Sequence, residues 1–167
     1  MDDSAMRPGE RRLGSDPGAL PADAGVVFIG RLRTPWRRGD CPRNLGRARE
    51  RGGRFAAEID APYRPGLEGL AAGDAVILLY WMADARRDLI RQAPHHAPGP
   101  KGTFALRSPV RPNPIALAVT RLTALDIEAG RLEVEALDAF DGTPLLDVKP
   151  YRARIDVPPG PAPGRGA

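Results

Sequence analysis

The chain has 167 residues, a formal net charge of +4 and a hydrophobic fraction of 42%, which is enough for one domain with a buried core. No apolar run reaches the roughly 20 residues of a transmembrane helix, and no signal-peptide pattern opens the chain. The single cysteine, Cys41, excludes an intramolecular disulfide and favours a reducing, cytoplasmic environment.

The two ends of the chain lack hydrophobic periodicity. Residues 1–24 are rich in Asp, Gly, Pro and Ala, and residues 158–167 consist almost only of Pro, Gly, Ala and Arg. Such segments bury too little apolar surface to offset the entropy lost on ordering. We therefore expect disordered tails at both ends and one folded domain over residues 25–157.

The first half of that domain predicts three strands and a helix. Residues 26–32 form a compact β-rich run that Pro35 ends, and residues 54–59 alternate more weakly. Residues 74–82 are the most hydrophobic run and are typical of a strand buried on both faces. Residues 84–92 have an acidic residue at the start and a proline beyond the end, which indicates a short helix.

The second half predicts only strands. They span residues 102–106, 115–125, 131–137, 145–148 and 153–157. Many short strands with turns between them and little helix predict an all-β fold, a single small β-barrel with short helices. No G-x-G-x-x-G sequence follows a strand, so a nucleoside cofactor would not bind through a Rossmann crevice.

A proline-rich connection interrupts the apolar pattern between residues 107 and 115. Its three prolines fix φ and lack backbone donors, so they exclude both a helix and a central strand. The connection should be a stiff loop that presents Arg107, Arg111 and Asn113. Rigid loops with cations and amides are suited to holding a ligand.

The segment from residue 31 to residue 54 is strongly basic, with nine arginines against two acidic residues. A polyanionic partner would neutralise this charge, and a solvated arginine-rich loop is the alternative.

Three motifs resemble the TrmO family, also called YaeB or TsaA-like. Residues 102–117 (GTFALRSPVRPNPIAL) resemble its signature G-x-F-A-x-R-S-x-x-R-P-N-P-I, and residues 137–151 (LDAFDGTPLLDVKPY) resemble L-D-x-x-D-G-T-P-x-x-D-x-K-P-Y. Residues 30–35 (GRLRTP) resemble a strand-end G-x-x-x-S/T-P. The resemblance covers roughly residues 25–156, so the chain is identified as a member of this family.

The resemblance implies a non-Rossmann, S-adenosylmethionine-dependent tRNA methyltransferase built on a TsaA-like barrel over residues 25–157. It further implies a homodimer, no metal, and an acceptor at N6 of a threonylcarbamoyladenosine next to the anticodon. A carbamoylated nitrogen is more acidic than a free adenine amine, so modest proton acceptance would suffice. The implied cofactor-binding residues are Pro42, Arg43, Asn44, Met82, Ala83, Arg107, Leu117, Asp138, Asp141, Gly142 and Thr143.

Some of these assignments compete with structural roles. The Arg107 fork suits a cofactor carboxylate or a base, but an ion pair with Asp138 or Asp141 would also use it. Residues 138–144 have the chemistry of a tight turn, in which carboxylates and backbone N–H groups can bind ribose hydroxyls or a methionine amino group. A plain hairpin turn is the alternative.

Two departures from the family pattern concern the same region. Cys41 precedes the Pro-Arg-Asn stretch, and Met82-Ala83 replaces a polar His-Gln pair found in many members. This replacement removes two hydrogen-bonding side chains and leaves backbone contacts or sulfur packing.

Asn113 and Arg111 are assigned to catalysis. The Asn113 oxygen, fixed between two prolines, can accept the N6 proton, although a turn role would also explain the residue. Substrate binding is assigned to Lys149, Tyr151, Arg37 and Arg38. The alternative for Tyr151 is that its side chain only plugs the barrel. The spacing of His95, His96 and Cys41 fits no zinc pattern.

Two other functions remain open. The departures at Cys41 and Met82-Ala83 would suit a methyltransferase with a different nucleoside or small-molecule acceptor. A catalytically silent barrel that only binds RNA would bind tRNA without S-adenosylmethionine affinity.

Overall fold

A computed structural model describes residues 6–95, 97–158 and 160. The described residues form nine strands: β1 (Arg11–Arg12), β2 (Gly30–Arg33), β3 (Phe55–Ile59), β4 (Ala75–Trp81), β5 (Leu89–Gln92), β6 (Lys101–Gly102), β7 (Ile115–Asp126), β8 (Arg131–Val134) and β9 (Pro144–Pro150). The helices are α1 (Leu45–Arg51), α2 (Ala153–Asp156) and two 3-10 helices, Ala61–Leu67 and Thr103–Ala105. None of the described helices is long and apolar enough to cross a membrane.

Six strands close into an antiparallel barrel in the order β2-β3-β8-β7-β4-β9. The seam between β9 and β2 is short, with only Gly30 paired to Leu145 and Arg31 paired to Pro144. Two loop hydrogen bonds extend it, from Ile29 N to Leu145 O and from Leu32 N to Thr143 O. The predicted all-β barrel is confirmed.

Strand β7 links most of the barrel wall and has two distinct faces. Its first seven residues pair with β4, and its last residues pair with β8 across a bulge. Ala118, Thr120 and Leu122 face the core and are buried. Ile115, Leu117 and Val119 point the other way and are exposed, so the first part of β7 offers an apolar outer face.

A second, three-stranded sheet in the order β1-β5-β6 lies beside the barrel. It corrects two predictions. The predicted helix over residues 84–92 is wrong, because Leu89 and Gln92 are buried in β5, between β1 and β6. The N-terminal tail is not without regular structure, because Arg11–Arg12 add a strand to β5, and residues 161–167 of the C-terminal tail lie outside the described residues.

Two further predicted strands are wrong. In place of a strand over residues 102–106, only Gly102 belongs to β6, and a 3-10 turn follows that leaves Phe104 76% exposed. In place of the strand predicted over residues 153–157, Ala153–Asp156 form α2, because Arg152 O accepts hydrogen bonds from the amides of Ile155 and Asp156. Phe104 and Ile155, the large apolar side chains of these segments, are 76% and 80% exposed, so no burial selects an extended backbone there.

Candidate functional site

Two adjoining hollows lie on the outside of the barrel wall. The larger has a volume of about 1210 Å³ and is floored by the outer face of β7, including Ile115, Leu117 and Val119. The smaller has about 370 Å³, and the two share Met82, Pro109 and Phe140 as a common wall. Small-molecule pockets typically measure roughly 300–1,000 Å³, so the larger hollow has room for more than one ligand group.

Most of the residues predicted for the site line one of these hollows. The larger hollow is lined by Pro42, Arg43, Asn44, Met82, Arg107, Arg111, Asn113, Leu117 and Asp138. The smaller hollow is lined by Arg38, Met82, Ala83, Asp141, Gly142 and Thr143. Arg37, Lys149 and Tyr151 line neither.

Backbone hydrogen bonds join two of the sequence motifs at the site. Leu32 N donates to Thr143 O at 2.8 Å, Gly142 N donates to Leu32 O, and Asp141 N donates to Trp36 O. Residues 137–143 are thereby fixed along residues 32–36. The aspartates of one motif therefore hold their position against the strand end of the other.

In the turn at residues 140–143, the backbone N–H groups of Asp141, Gly142 and Thr143 donate hydrogen bonds within the protein. Gly142 has a φ of 78°, which an L residue rarely adopts, and Thr143 N donates to Phe140 O across the turn. The amides of Asp141 and Gly142 also donate within the protein, so the carboxylates of this segment are better placed for a ligand than these N–H groups. The Asp141 carboxylate accepts only from Thr34 N within the described chain, which leaves its second oxygen open.

A tyrosine of the barrel core, Tyr80, positions Asp138 through a hydrogen bond that the sequence did not predict. Tyr80 Oη donates to Asp138 Oδ1 at 3.3 Å, and Tyr80 is only 3% exposed. Burial and then the charge of Asp138 raise the pKa of Tyr80 well above its usual range, so the phenol remains a donor. The only signal in the sequence is one hydroxyl within the apolar run of β4.

Cys41 lines the larger hollow as a protonated thiol. Burial, followed by the negative charges of Asp138 and Asp40, raises its pKa to about 11. Its Sγ lies 3.6 Å from the Pro42 carbonyl oxygen. A thiol in this state is a poor nucleophile, so Cys41 contributes packing rather than covalent chemistry.

Arg107 reaches across the larger hollow and keeps most of its donors available. Its Nη2 donates to Leu117 O at 2.9 Å. Within the described residues it makes no ion pair with Asp138 or Asp141, so the structural alternative for Arg107 is wrong in this structure. A guanidinium fork that is exposed in a hollow can bind a carboxylate with two parallel hydrogen bonds.

The proline-braced loop, residues 107–114, is fixed by side chains instead of a β ladder. Arg111 Nη1 donates to the carbonyl oxygens of Leu106 and Ser108, so this guanidinium partly braces its own loop. Gln92, buried in β5, donates to Val110 O at 2.6 Å. This hydrogen bond ties the loop to the sheet formed by β1, β5 and β6.

Asn113 is bound by a residue that the sequence analysis placed in a helix. Arg87 Nη2 donates to Asn113 Oδ1 at 3.3 Å, and Arg87 Nε donates to Pro112 O. The Arg87 guanidinium also stacks 5.6 Å from the centre of the Trp81 ring. No local sequence pattern predicts these contacts, because they join residues about 25 positions apart.

Asn44 has a structural duty as the N-cap of α1. Its Oδ1 accepts from Arg47 N at 2.9 Å, and Gly52 ends the helix with a positive φ. The side-chain NH₂ of Asn44 and the exposed guanidinium of Arg43 remain for a ligand. The helix brings both to one wall of the larger hollow.

Met82 and Ala83 have no free backbone donors. Met82 N donates to Pro114 O, and Ala83 N donates to Trp81 O. Backbone contacts with a ligand are thereby limited to carbonyl oxygens, and the other replacement for the polar pair is packing of the Met82 thioether, which lines both hollows.

Five of the nine arginines in the basic segment have a side-chain partner within the protein. Arg33, Arg38, Arg47 and Arg49 form ion pairs with Glu58, Asp84, Glu50 and Glu135, respectively. Arg51 lies 4.4 Å from the centre of the Trp36 ring. The guanidinium groups without a partner in the described chain belong to Arg31, Arg37, Arg43 and Arg54.

Lys149 lies on β9, away from both hollows, and its Nζ pairs with Asp147 at 2.6 Å. Tyr151 N donates to Ala75 O at the same end of the barrel. The structure does not bring these two residues to the other predicted site residues. His96 lies outside the described residues, among which no group of three His, Cys, Asp or Glu side chains is suited to hold a metal ion.

The chain is similar to several known proteins. A family model described as tRNA-methyltransferase O N-terminal domain matches residues 31–157. The probable S-adenosyl-L-methionine-binding protein VirR of Rhizobium radiobacter is 38% identical over 138 residues, which are 81% of this chain and 76% of the relative. An S-adenosyl-L-methionine-binding protein of Archaeoglobus fulgidus is 40% identical over 134 residues, 77% of this chain and 89% of the relative.

Two further matches carry a more specific name. A tRNA (adenine(37)-N6)-methyltransferase of Eikenella corrodens is 46% identical over 67 residues, 40% of this chain and 38% of that protein. The crystal structure of TrmO from P. aeruginosa superposes with a TM-score of 0.64 at 31% identity and covers 89% of this chain. The chain spans 62% of that crystallised protein, which is less than two thirds of its length.

Proposed function

Because the chain belongs to the family of the tRNA-methyltransferase O N-terminal domain, we propose that it transfers a methyl group from S-adenosylmethionine to an adenine N6 of tRNA. The observation that carries the proposal is the convergence of Arg107, Asn113 and Asp138 on one hollow. These residues come from two motifs that are distant in sequence, and the hollow exceeds what a single small ligand needs.

The cofactor groups match the side chains that remain open. Arg107 and Arg43 supply donors for the methionine carboxylate, and the Asp138 and Asp141 carboxylates supply acceptors for the amino group and ribose hydroxyls. Tyr80 holds Asp138 in place for this role. The apolar outer face of β7 and Met82 cover the less polar parts of the ligand.

The transfer itself is a direct displacement. A bond forms between N6 and the methyl carbon while the carbon–sulfur bond breaks, and its electron pair returns to the sulfonium as a neutral thioether. N6 loses one proton, which an oxygen acceptor or solvent takes up. In-line placement of the two reactants supplies most of the acceleration in such a reaction, so no metal or covalent intermediate is required.

The acceptor we propose is a threonylcarbamoyladenosine beside the anticodon. The name of the Eikenella corrodens relative places its activity on adenine 37 of tRNA. Carbamoylation acidifies N6, and a threonyl carboxylate gives an arginine of the larger hollow a charged group to bind. Arg37 would contact a phosphate of the anticodon stem from the basic segment.

We also propose that two chains pair in the cytoplasm, where tRNA is modified. Ile115, Leu117 and Val119 are between 37% and 43% exposed on β7, where they form the apolar floor of the larger hollow. A second copy placed over the hollow would close its open side and exclude water from the transfer.

The decisive experiment combines purified protein, labelled S-adenosylmethionine and two tRNA preparations, one with and one without the threonylcarbamoyl group. Mass analysis of the nucleosides should show one added methyl on the modified adenosine only. Methylation of the unmodified transcript would favour another acceptor, which the Met82-Ala83 departure supports. If calorimetry detects no binding of S-adenosylmethionine, the proposed transfer is excluded and a barrel that only binds RNA is the remaining interpretation.

A further inference from the structure

Arg87 connects the loop between β4 and β5 to the proline-braced loop. Arg87 is half-buried, and its guanidinium lies against the Trp81 ring and bridges two acceptors, Pro112 O and Asn113 Oδ1. A planar fork can hold two oxygens in one fixed relation, which a point charge such as lysine cannot do.

The Asn113 side chain has one hydrogen-bond partner among the described contacts, the Arg87 guanidinium. The backbone around it is anchored separately: Gln92 donates to Val110 O, and Pro114 is fully buried with its carbonyl oxygen accepting from Met82 N. The orientation of the Asn113 side chain, as distinct from its backbone, therefore depends on Arg87.

The chemistry of arginine fixes which end of the Asn113 amide points where. A guanidinium only donates hydrogen bonds, so the atom that it faces is the amide oxygen, and the NH₂ group lies at the other end. Asn113 lines the larger hollow, and its NH₂ has no partner in the described chain. A cation on the oxygen also makes that oxygen a weaker base.

We propose that Arg87 is a positioning residue that fixes the Asn113 amide so that its NH₂ donates a hydrogen bond to the acceptor nucleotide. This inference rests on the proposed function, and it revises the expectation that the Asn113 oxygen takes the N6 proton. The complementary atom is a hydrogen-bond acceptor beside N6, such as a ring nitrogen of adenine or a carbamoyl oxygen.

The first experiment does not need catalysis. The side-chain amide signals of Asn113 are identified in ¹⁵N spectra by their loss in Asn113→Ala. They should shift in Arg87→Gln and stay in place in Arg91→Gln, which removes a charge from an exposed arginine on β5. Asn113 signals that do not respond to Arg87→Gln would overturn the proposal, provided that thermal melting shows both variants folded.

The second experiment separates donor from acceptor. Asn113→Asp keeps the shape of the side chain and its oxygen atoms but removes the NH₂ group. It should lower kcat about as strongly as Asn113→Ala, by about tenfold or more, with cofactor affinity within twofold of the original chain. If Asn113→Asp retains turnover, the oxygen is the active atom and the proposal fails.

A double-mutant cycle tests whether Arg87 acts through Asn113. Arg87→Gln should lower kcat, and the double variant Arg87→Gln/Asn113→Ala should be no worse than the poorer single variant. Additive losses, or full turnover in Arg87→Lys, would overturn the positioning role. If the original chain methylates no tRNA at all, the proposed function fails, while the spectroscopic experiment still decides whether Arg87 orients Asn113.

Discussion

Tyr80 and Asp138 link the barrel core to the site through one hydrogen bond of 3.3 Å. Tyr80 belongs to the inward-facing row of β4 with Val76 and Leu78, and all three are buried. Asp138 lies at the start of the segment that runs along residues 32–36. The packing of the core therefore sets the position of a carboxylate in the larger hollow.

Tyr80→Phe should weaken cofactor binding by about threefold to tenfold, because the Asp138 carboxylate loses a buried donor while the ring still fills the core. Isothermal titration with S-adenosylmethionine measures the change. Tyr63→Phe removes a hydroxyl from a 40% exposed tyrosine and serves as the matched control. Equal affinities for the original chain and Tyr80→Phe would contradict the role assigned to this bond.

Cys41 should react slowly with iodoacetamide at neutral pH. Burial and two nearby carboxylates raise its pKa to about 11, so the alkylation rate of the folded protein should reach half of its maximum only near pH 11. In denaturant the same thiol should follow the ordinary pKa of about 8.5. A native alkylation rate with its midpoint near pH 8.5 would show that the thiol is not shielded.

Arg37 should contribute to tRNA binding through its free charge. Arg37→Ala should lower the slope of log K against log salt by about 0.7–0.9, the value expected for one phosphate contact. The control is Arg47→Ala, because the Arg47 guanidinium is already paired with Glu50 at 2.7 Å. Filter binding at several salt concentrations measures both slopes, and equal slopes for the two variants would refute the distinction.

Glu10 should make the attachment of β1 sensitive to acid. Burial alone would raise its pKa, but hydrogen bonds from the Arg7 and Ala93 amides and the Arg7 guanidinium outweigh it and hold the pKa below 4.5. The stabilisation is therefore present above pH 4.5 and lost as the pH falls through the lowered pKa.

Backbone chemical shifts of β1 and β5, followed from pH 6 to pH 3, check this prediction. The two strands should separate only below pH 4.5, while the barrel strands keep their shifts. In Glu10→Ala the separation should already be present at pH 6. Strands that stay paired at pH 6 in this variant would show that Glu10 is dispensable.

Gly30 should not tolerate a side chain. An added Cβ would lie 2.0 Å from the Glu58 carbonyl oxygen of the paired strand β3. Since that oxygen belongs to the backbone, Gly30→Ala should cost about 3 kcal/mol or more and lower Tm by about 10 °C. Gly66→Ala, where no heavy atom lies within 4 Å, should change Tm little.

The barrel strands could be predicted because their pattern and their burial coincide. Residues 74–82 and 115–125 combine long apolar stretches with nearby turn residues, and both became long barrel strands. Helix α1 gave no such signal, because Ala48 is its only buried residue. Its formation depends on the Asn44 cap and on the two hydrogen bonds that the Gly52 amide makes at its end.

The site could be predicted in part, because its motifs carry the residues that line the hollows. What the sequence does not contain is how those residues are held. Tyr80 looks like a core residue and Arg87 like part of a helix, yet each contacts a site residue 58 or 26 positions away. Contacts of this kind depend on the closed barrel, so no local pattern announces them.

The two-pair seam between β9 and β2 is the barrel's shortest join, and it continues directly into Asp141–Thr143. A ligand bound to those residues stabilises the pairing of β9 with β2, and by thermodynamic linkage opening of this pairing weakens ligand binding. Amide protons along this join would then exchange more slowly in the bound protein. Slower amide exchange in these strands would therefore report ligand binding, even though the amides lie several residues from any ligand atom.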